Sequence, residues 1–204
     1  MRITGGTLRG RLIRVPEAAV RPTQERVREA LFSMLAERMA ESRFLDLFAG
    51  SGAVGIEAWS RGASEVWWVE SGRRVLPVLR ENVDQLCPER SRVVAADALA
   101  FLRRGESPER FDIVFADPPY AACGTRNTEF GARNAERGSG GDRDWTRQLL
   151  AAMATAGILA EDGLFVMEER AAAGTGGGVA CGWETVVDRV YGDARLRILR
   201  RNIE

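Results

Sequence analysis

The sequence predicts an α/β fold in which a mostly parallel sheet of seven strands carries helices on both faces. Three observations lead to this prediction. An apolar run that begins at Phe44 ends in a glycine turn and opens into a helical pattern, which indicates a strand, a tight loop and a helix. Further apolar runs alternate with amphipathic segments, as βαβ units do. The last two runs, joined through residues 191–193, indicate a closing antiparallel pair.

The 204 residues suffice for one well-buried core. We expect residues 1–40 to form a basic hairpin and a helix that extend from a core of residues 41–204. Thr23 is the predicted N-cap of the first helix. The later helices are predicted at 53–61, 73–86, 98–104 and 145–156. The first strand is predicted from Phe44 to the glycine turn, and the later strands at 65–70, 92–96, 111–116, 163–168, 183–190 and 195–199.

Composition excludes several kinds of chemistry. The chain contains neither histidine nor lysine, which removes a Ser-His-Asp triad, a Schiff-base lysine and a Walker lysine, and no metal site is predicted. Formal charge is zero, so any nucleic-acid surface must be local. Three cysteines without CxxC spacing indicate reduced thiols. The sequence has no apolar signal region or membrane span, so we expect a cytoplasmic protein. We also expect it to be a monomer.

The glycine turn has the spacing of a nucleoside-binding loop. Gly50, Gly52 and Gly55 form a GxGxxG pattern, which both NAD enzymes and S-adenosylmethionine (SAM) enzymes use after their first strand. Asp46 favours SAM, since a carboxylate suits a cationic amino group and a sulfonium better than a pyrophosphate. The alternative is a solvated Asp46 at a strand end followed by ordinary turn glycines.

Two acidic residues lie where a nucleoside site needs hydrogen-bond acceptors. Glu70 closes the second strand, where an acid accepts hydrogen bonds from ribose hydroxyls. Asp97 and Ala98 follow the third strand, where a carboxylate and a backbone N–H can read an adenine. Asp97 alternatively only caps the helix that begins at Ala98.

A second landmark, Asp117-Pro118-Pro119-Tyr120, closes a buried strand. Two prolines cannot continue a central strand, so the chain leaves the sheet with a rigid backbone. Such a turn can hold the two N–H groups of an exocyclic amine while the Tyr120 ring stacks on the base. An ordinary turn with incidental prolines is the alternative.

Arginines without neighbouring acids mark the N-terminus. The predicted function of this region is RNA contact, because arginine pairs with phosphate and stacks on bases; a frayed, solvated terminus is the alternative. The predicted RNA-binding residues are Arg2, Arg9, Arg11, Arg14, Arg21, Arg26 and Arg28. Arg26 and Arg28 lie beside Glu25 and Glu29, and ion pairing with these acids on a solvated surface is the alternative for them.

These motifs together resemble the RsmD family, bacterial methyltransferases that modify the exocyclic N2 of a guanine in small-subunit (16S) ribosomal RNA. The resemblance rests on residues 3–6, 9–11, 21–32, 46–55, 70, 97, 117–120 and 191–192. It implies a Rossmann-like class I SAM-dependent methyltransferase fold, SAM as cofactor, and ribosomal RNA within a small subunit or its assembly intermediate as partner. The segments 121–144 and 174–178 depart from the family pattern.

The resemblance also implies roles for individual residues. Asp46 and the glycine loop would hold the methionyl part of SAM, Glu70 the ribose and Asp97 the adenine. The predicted cofactor-binding residues are Asp46, Phe48, Ala49, Gly50, Ser51, Gly52, Glu70, Asp97 and Ala98. The predicted catalytic residues, which would hold the guanine amine, are Asp117, Pro118, Pro119 and Tyr120.

Three other functions remain open on the sequence. An amino-methyltransferase acting on another RNA or on DNA can carry the same two motifs, although the spacing between Gly50 and Asp117 leaves no room for an inserted DNA-recognition domain. An NAD-dependent oxidoreductase shares the glycine loop. A catalytically inactive RNA-binding module would keep the arginines alone.

Overall fold

The computed structural model describes residues 1–15, 22–105, 110–119, 145–171 and 182–202. The helices are α1 (Pro22–Met34), α2 (Ala36–Met39), α3 (Ala53–Ser60), α4 (Leu76–Leu86), α5 (Ala98–Arg104) and α6 (Trp145–Ala156). The strands are β1 (Arg43–Asp46), β2 (Glu65–Glu70), β3 (Ser91–Ala95), β4 (Phe111–Ala116), β5 (Leu159–Arg170), β6 (Trp183–Tyr191) and β7 (Ala194–Arg201).

One seven-stranded sheet has the order β3-β2-β1-β4-β5-β7-β6. Strands β1 to β5 are parallel, and β7 runs antiparallel to both β5 and β6. The chain moves outward from β1 in one direction through β2 and β3, and then returns to add β4 on the other side. The point between β1 and β4 is therefore the topological switch of the sheet, where open α/β folds bind their ligands.

Helices cover both faces of the sheet, which confirms the predicted fold class. Strand side chains alternate between the faces: Phe44 packs with one apolar cluster and its neighbour Leu45 with the other. The first cluster includes side chains of α1, α3 and α4, whereas the second includes those of α5 and α6. Fully buried aromatic side chains such as Trp68 and Phe165 fill the two layers.

The N-terminal residues share the main core. An antiparallel bridge pairs Arg2 with Leu12, so a short hairpin forms as predicted. Ile3 and Ile13 are 1% and 2% exposed and belong to the same apolar cluster as Phe44. Apolar side chains from the described parts of residues 1–40 thus contribute to the core of the sheet.

Two elements begin three or more residues away from their predicted starts. Helix α4 begins at Leu76, three residues later than expected, and Pro77 lies in its first turn, where the missing N–H breaks no helical hydrogen bond. Strand β5 begins at Leu159, before its predicted start, with a register shift opposite Phe111 and Ile113. The polar residues 160–162 conceal that start because they break the apolar alternation.

Within the described residues, no helix combines the length and apolar character needed to span a membrane.

Candidate cofactor and substrate site

Four carboxylates close four adjacent parallel strands at one edge of the sheet. Asp46 ends β1 and Glu70 ends β2, whereas Asp117 directly follows β4 and Glu168 lies near the end of β5. Asp46 is in register with Trp68 and Phe115, so Glu70 and Asp117 lie two residues beyond its partners and project to the same face. The sheet therefore gathers these acids around its switch point.

Asp46 is the most buried of the four. Its side chain is 1% exposed, and Oδ2 accepts a hydrogen bond from the Gly55 N–H at 3.2 Å. Oδ1 is buried without a partner among the described residues. Burial, and to a smaller extent the charge of Glu70, raises the pKa of Asp46 to about 7. An orphaned carboxylate oxygen beside a glycine loop fits the cationic amino group that the predicted cofactor would bring.

The glycine loop leaves open space over its backbone. Gly50 has a φ of 54°, and a Cβ added there would meet nothing within 4 Å. The Gly50 N–H donates to Glu70 Oε2 at 2.8 Å, and Oε1 accepts from Gly72 N–H at 2.6 Å. Glu70 thus stabilises the loop through its backbone and retains the acceptor capacity that a ribose hydroxyl requires.

Close packing behind the loop explains the third glycine of the motif. A Cβ on Gly55 would lie 2.2 Å from Nε1 of Trp68, so α3 can pack on the sheet only with glycine there. Nε1 of Trp68 also donates to the Gly52 carbonyl at 3.3 Å. The helix and the loop are consequently fixed by the strand beneath them.

The remaining predicted cofactor residues lie in the loop itself or at the carboxyl ends of β1 and β3. Asp97 is the N-cap of α5, its Oδ1 accepting from Ala100 N–H at 2.9 Å, while Ala98 is buried in the first turn. The capping interpretation of Asp97 is thus confirmed, and one carboxylate oxygen stays available for an adenine. Phe48 packs edge-on against Trp145, with ring centroids 5.4 Å apart. Ala49 and Ser51 complete the loop backbone.

Asp117 lies where β4 leaves the sheet. Pro118 behind it is buried and Pro119 is exposed, as expected for a rigid exit from the sheet. Burial, reinforced by the nearby charges of Glu168 and Asp46, raises the pKa of Asp117 well above its usual range. Tyr120, the last residue of the predicted motif, lies outside the described residues.

Glu168 is a site residue that the sequence reasoning missed. The pairing of Ala116 with Met167 places Glu168 beside Asp117 on the neighbouring strand and on the same face. Burial raises its pKa. The available signal was its position, because Glu168 ends its predicted strand just as Asp46 and Glu70 end theirs.

Arg28 does not occupy the surface position that RNA contact requires. Its side chain is 4% exposed and its Nε pairs with Glu57, which is fully buried. Glu57 also accepts from Thr4 Oγ1 and from Arg61 Nη2, the latter at 2.8 Å. Arg28 further donates to the Arg2 carbonyl. The predicted RNA-binding role of Arg28 is therefore corrected to a structural one, because its guanidinium is buried in an ion pair with Glu57.

The other N-terminal arginines are exposed where described. Arg9, Arg11 and Arg26 have no side-chain partner among the described residues. Arg2 donates to the Gly10 carbonyl at 3.0 Å, and Arg14 pairs with Glu81. Arg21 lies outside the described residues.

A single buried amide connects the N-terminal segment to the glycine loop. Nδ2 of Asn82 donates to the Ser51 carbonyl and to the Arg14 carbonyl, both at 2.8 Å. Its Oδ1 accepts from the Arg14 N–H at 3.0 Å. The end of the basic hairpin therefore borders the candidate cofactor site.

A family model described as "Conserved hypothetical protein 95" matches residues 1–130, well over half of the chain. The chain belongs to this family. Asp46, Glu70, Asp97 and Asp117 all fall inside the matched region, whereas Glu168 lies beyond it.

Named relatives confirm the resemblance to the RsmD family. The chain is 44% identical over 121 residues to "Ribosomal RNA small subunit methyltransferase D" of Escherichia coli K12, and 35% identical over 123 residues to "Putative rRNA methyltransferase YlbH" of Bacillus subtilis 168. Each match covers 59% of this chain, and the two cover 60% and 67% of the respective relatives. The chain thus spans about 60% of the length of the E. coli relative that it matches.

Solved structures match over the whole chain. "Putative methyltransferase yhhF from Escherichia coli" is 32% identical to this chain, and the two structures superpose with a TM-score of 0.79. The alignment covers 100% of this chain and 99% of the other. A "putative methylase HI0767 from Haemophilus influenzae" is 26% identical, with a TM-score of 0.72, and its alignment covers 100% of this chain and 98% of the other. The fold described above is the fold of these proteins.

Proposed function

We propose that this protein transfers a methyl group from SAM to the exocyclic N2 amine of a guanine in small-subunit ribosomal RNA. The observation that carries the proposal is the buried Asp46 carboxylate with its unpartnered Oδ1, set between an open glycine loop and Asp117 at the switch point. The names of the relatives support ribosomal RNA as the substrate.

SAM, when bound, supplies a methyl group on a positively charged sulfur that is already a good leaving group. The protein's task is then to bind, orient and exclude water, and such positioning contributes about 7 kcal/mol or more. Asp46 would hold the cationic amino group, Glu70 the ribose hydroxyls, and Asp97 with the Ala98 N–H the adenine. Phe48, Ala49 and the loop 50–52 would enclose the methionyl chain.

Asp117 is the residue that we assign to the target amine. One carboxylate oxygen accepts an N–H of the amine, which turns the nitrogen lone pair toward the methyl group. Methyl transfer forms the new N–C bond, breaks the S–C bond and leaves a proton to be removed from the nitrogen. The Asp117 carboxylate, which holds the amine, is positioned to accept that proton.

Substrate RNA would approach along the N-terminal hairpin. Arg9, Arg11 and Arg26 offer exposed guanidinium groups, and Asn82 places the hairpin's end beside the glycine loop. A phosphate backbone held there would lie next to the carboxyl edge of the sheet. We further propose that the protein acts as a cytoplasmic monomer on a small subunit or its assembly intermediate.

The experiment is a transfer assay followed by nucleoside identification. Methyl-labelled SAM, the protein and small ribosomal subunits from cells lacking the enzyme are incubated, and the RNA is digested and analysed by mass spectrometry. Label in N2-methylguanosine supports the proposal. Label in another nucleoside contradicts the assignment of guanine, and no label contradicts methyl transfer.

Calorimetry with SAM and NAD in parallel separates the rival nucleotide chemistries. We expect SAM to bind and NAD not to bind, because Asp46 would face the pyrophosphate of NAD with a like charge. If NAD gave binding heat in the titration and SAM gave none, the site would be that of a dinucleotide-dependent enzyme.

A further inference from the structure

Glu168 is a carboxylate whose surroundings suit it to bind a ligand. It is largely buried at the carboxyl edge of β5, and it has neither a hydrogen-bond nor an ion-pair partner in the part of the chain that the structure describes. The next residue is different, since Glu169 accepts from Thr146 and pairs with Arg197. Glu169 therefore has a structural role, whereas the fold leaves Glu168 without one.

The neighbours of Glu168 make its charge unfavourable in the free protein. Asp117 lies beside it on the adjacent strand, and parallel strands are about 4.8 Å apart. Asp46, with its buried and unpartnered Oδ1, lies on the far side of Asp117. No group of three or more acidic, cysteine or histidine side chains among the described residues is arranged to hold a metal ion. A ligand with several N–H donors would satisfy this cluster.

Guanine carries donors of that kind on one edge. Its Watson–Crick edge presents N1–H next to the N2 amine, so two adjacent groups donate. Adenine presents an acceptor at N1 beside its amine. Two carboxylates side by side can therefore both accept from guanine, whereas adenine would leave one of them facing a lone pair.

We propose that Glu168 accepts a hydrogen bond from N1–H of the target guanine while Asp117 accepts from its N2 amine, so that the pair selects guanine. This inference rests on the proposed function, because it assigns the base to the site described above. It makes Glu168 a specificity-determining residue in direct contact with the substrate. Ionised Glu168 is the accepting form, and the base's N–H donors offset its repulsion with Asp117.

The test removes the N1–H donor of the base and replaces one oxygen of the Glu168 side chain with an amide nitrogen. An RNA fragment is made around the nucleotide that the transfer assay identifies, with either guanine or 2-aminopurine at that position. 2-Aminopurine keeps the amine but lacks the 6-oxygen of guanine and has a lone pair in place of N1–H, so the effect of Glu168 is measured by how the preference changes between protein variants. We expect the parent protein to favour guanine by roughly 100-fold or more in kcat/KM, since a site built to accept a hydrogen bond rejects an analogue that lacks the donor.

Glu168→Gln should reduce that preference by about tenfold or more, because the amide Nε2–H can donate to the lone pair on 2-aminopurine. Glu161→Gln, at the exposed start of the same strand, is the matched control and should keep the parent ratio. SAM affinity should match the parent in both variants. Glu161→Gln should keep the parent's melting temperature, and Glu168→Gln should melt at or above it, because it removes an unfavourable charge.

The possible failures are distinguishable. If the transfer assay on small subunits yields no N2-methylguanosine, the proposed function fails and this inference fails with it. If the parent methylates guanine but Glu168→Gln keeps the parent ratio, or loses activity equally on both bases, the proposed function stands and the role of Glu168 is wrong.

Discussion

Oδ2 of Asp46 accepts a hydrogen bond from the N–H of Gly55 at 3.2 Å, while Oδ1 of the same carboxylate is buried with no partner among the described residues. The first contact ties β1 to the helix that follows the glycine loop. The second oxygen is an unsatisfied acceptor, which a purely structural residue would avoid. Asp46 thus costs stability in the free protein, and this cost motivates the first two predictions.

Asp46→Asn should stabilise the ligand-free protein at neutral pH. The folded pKa of about 7 lies above the ordinary value of 3.8, so the contribution of Asp46 to stability is complete at low pH and is lost as the pH rises to about 7. An asparagine has no such dependence, and the gain should reach about 1 to 3 kcal/mol above pH 7. Urea unfolding of both proteins between pH 5 and pH 8 measures it. A constant difference across that range would contradict the assignment.

SAM affinity should rise with pH. Below a pH of about 7, Asp46 in the free protein is largely protonated, and that proton must leave before the carboxylate pairs with the ligand's cationic amine. Between pH 5 and pH 7 the amine stays charged, since its pKa is about 8, so affinity should increase by up to about tenfold per unit. Calorimetry in buffers of different ionisation heat measures the released proton. The Asp46→Asn variant should bind weakly and without this dependence.

Arg28→Ala should unfold at much lower urea concentration than the parent. The change leaves Glu57 buried without one of its two arginine partners, and breaking a buried pair costs about 3 to 5 kcal/mol. Arg26→Ala, on the exposed side of the same helix, is the control and should unfold like the parent. If Arg28→Ala were as stable as the parent but bound RNA more weakly, Arg28 would be an RNA contact after all.

Arg9→Gln combined with Arg11→Gln should flatten the salt dependence of RNA affinity. Each phosphate contact releases counterions, so each lost contact should lower the slope of log affinity against log salt by about 0.7 to 0.9. Arg103→Gln, on the helix of the opposite face, is the control. Equal slopes for all three proteins would place RNA binding away from the hairpin. SAM affinity should stay constant throughout.

Most of the sheet could be predicted from local pattern. The run from Glu65 to Glu70 is apolar between two acids, and α5 begins after a capping Asp97 and ends before Gly105, so their ends are marked in the sequence. The extra residues of β5 could not be predicted, since Glu161 and Asp162 break the alternation and only pairing with β4 extends the strand.

Site residues that adjoin a local turn motif could be predicted from the sequence. Residues whose role depends on partners far along the chain could not. Asp46 and Asp117 each precede a distinctive turn, so sequence identifies them. Arg28 looked like a surface charge because its partner Glu57 comes from α3, far along the chain. Glu168 becomes a site residue only through the register of β5 beside β4.

Single-turnover methyl transfer by Asp117→Ala, with SAM affinity measured in parallel, tests the proposed mechanism most directly. Asp112→Ala, at the opposite end of the same strand, is the matched control. We predict that Asp117→Ala binds SAM as the parent does but transfers the methyl group orders of magnitude more slowly, because only the orientation of the target amine is lost. Near-parent transfer by Asp117→Ala would show that this carboxylate is structural and would contradict the proposed active site.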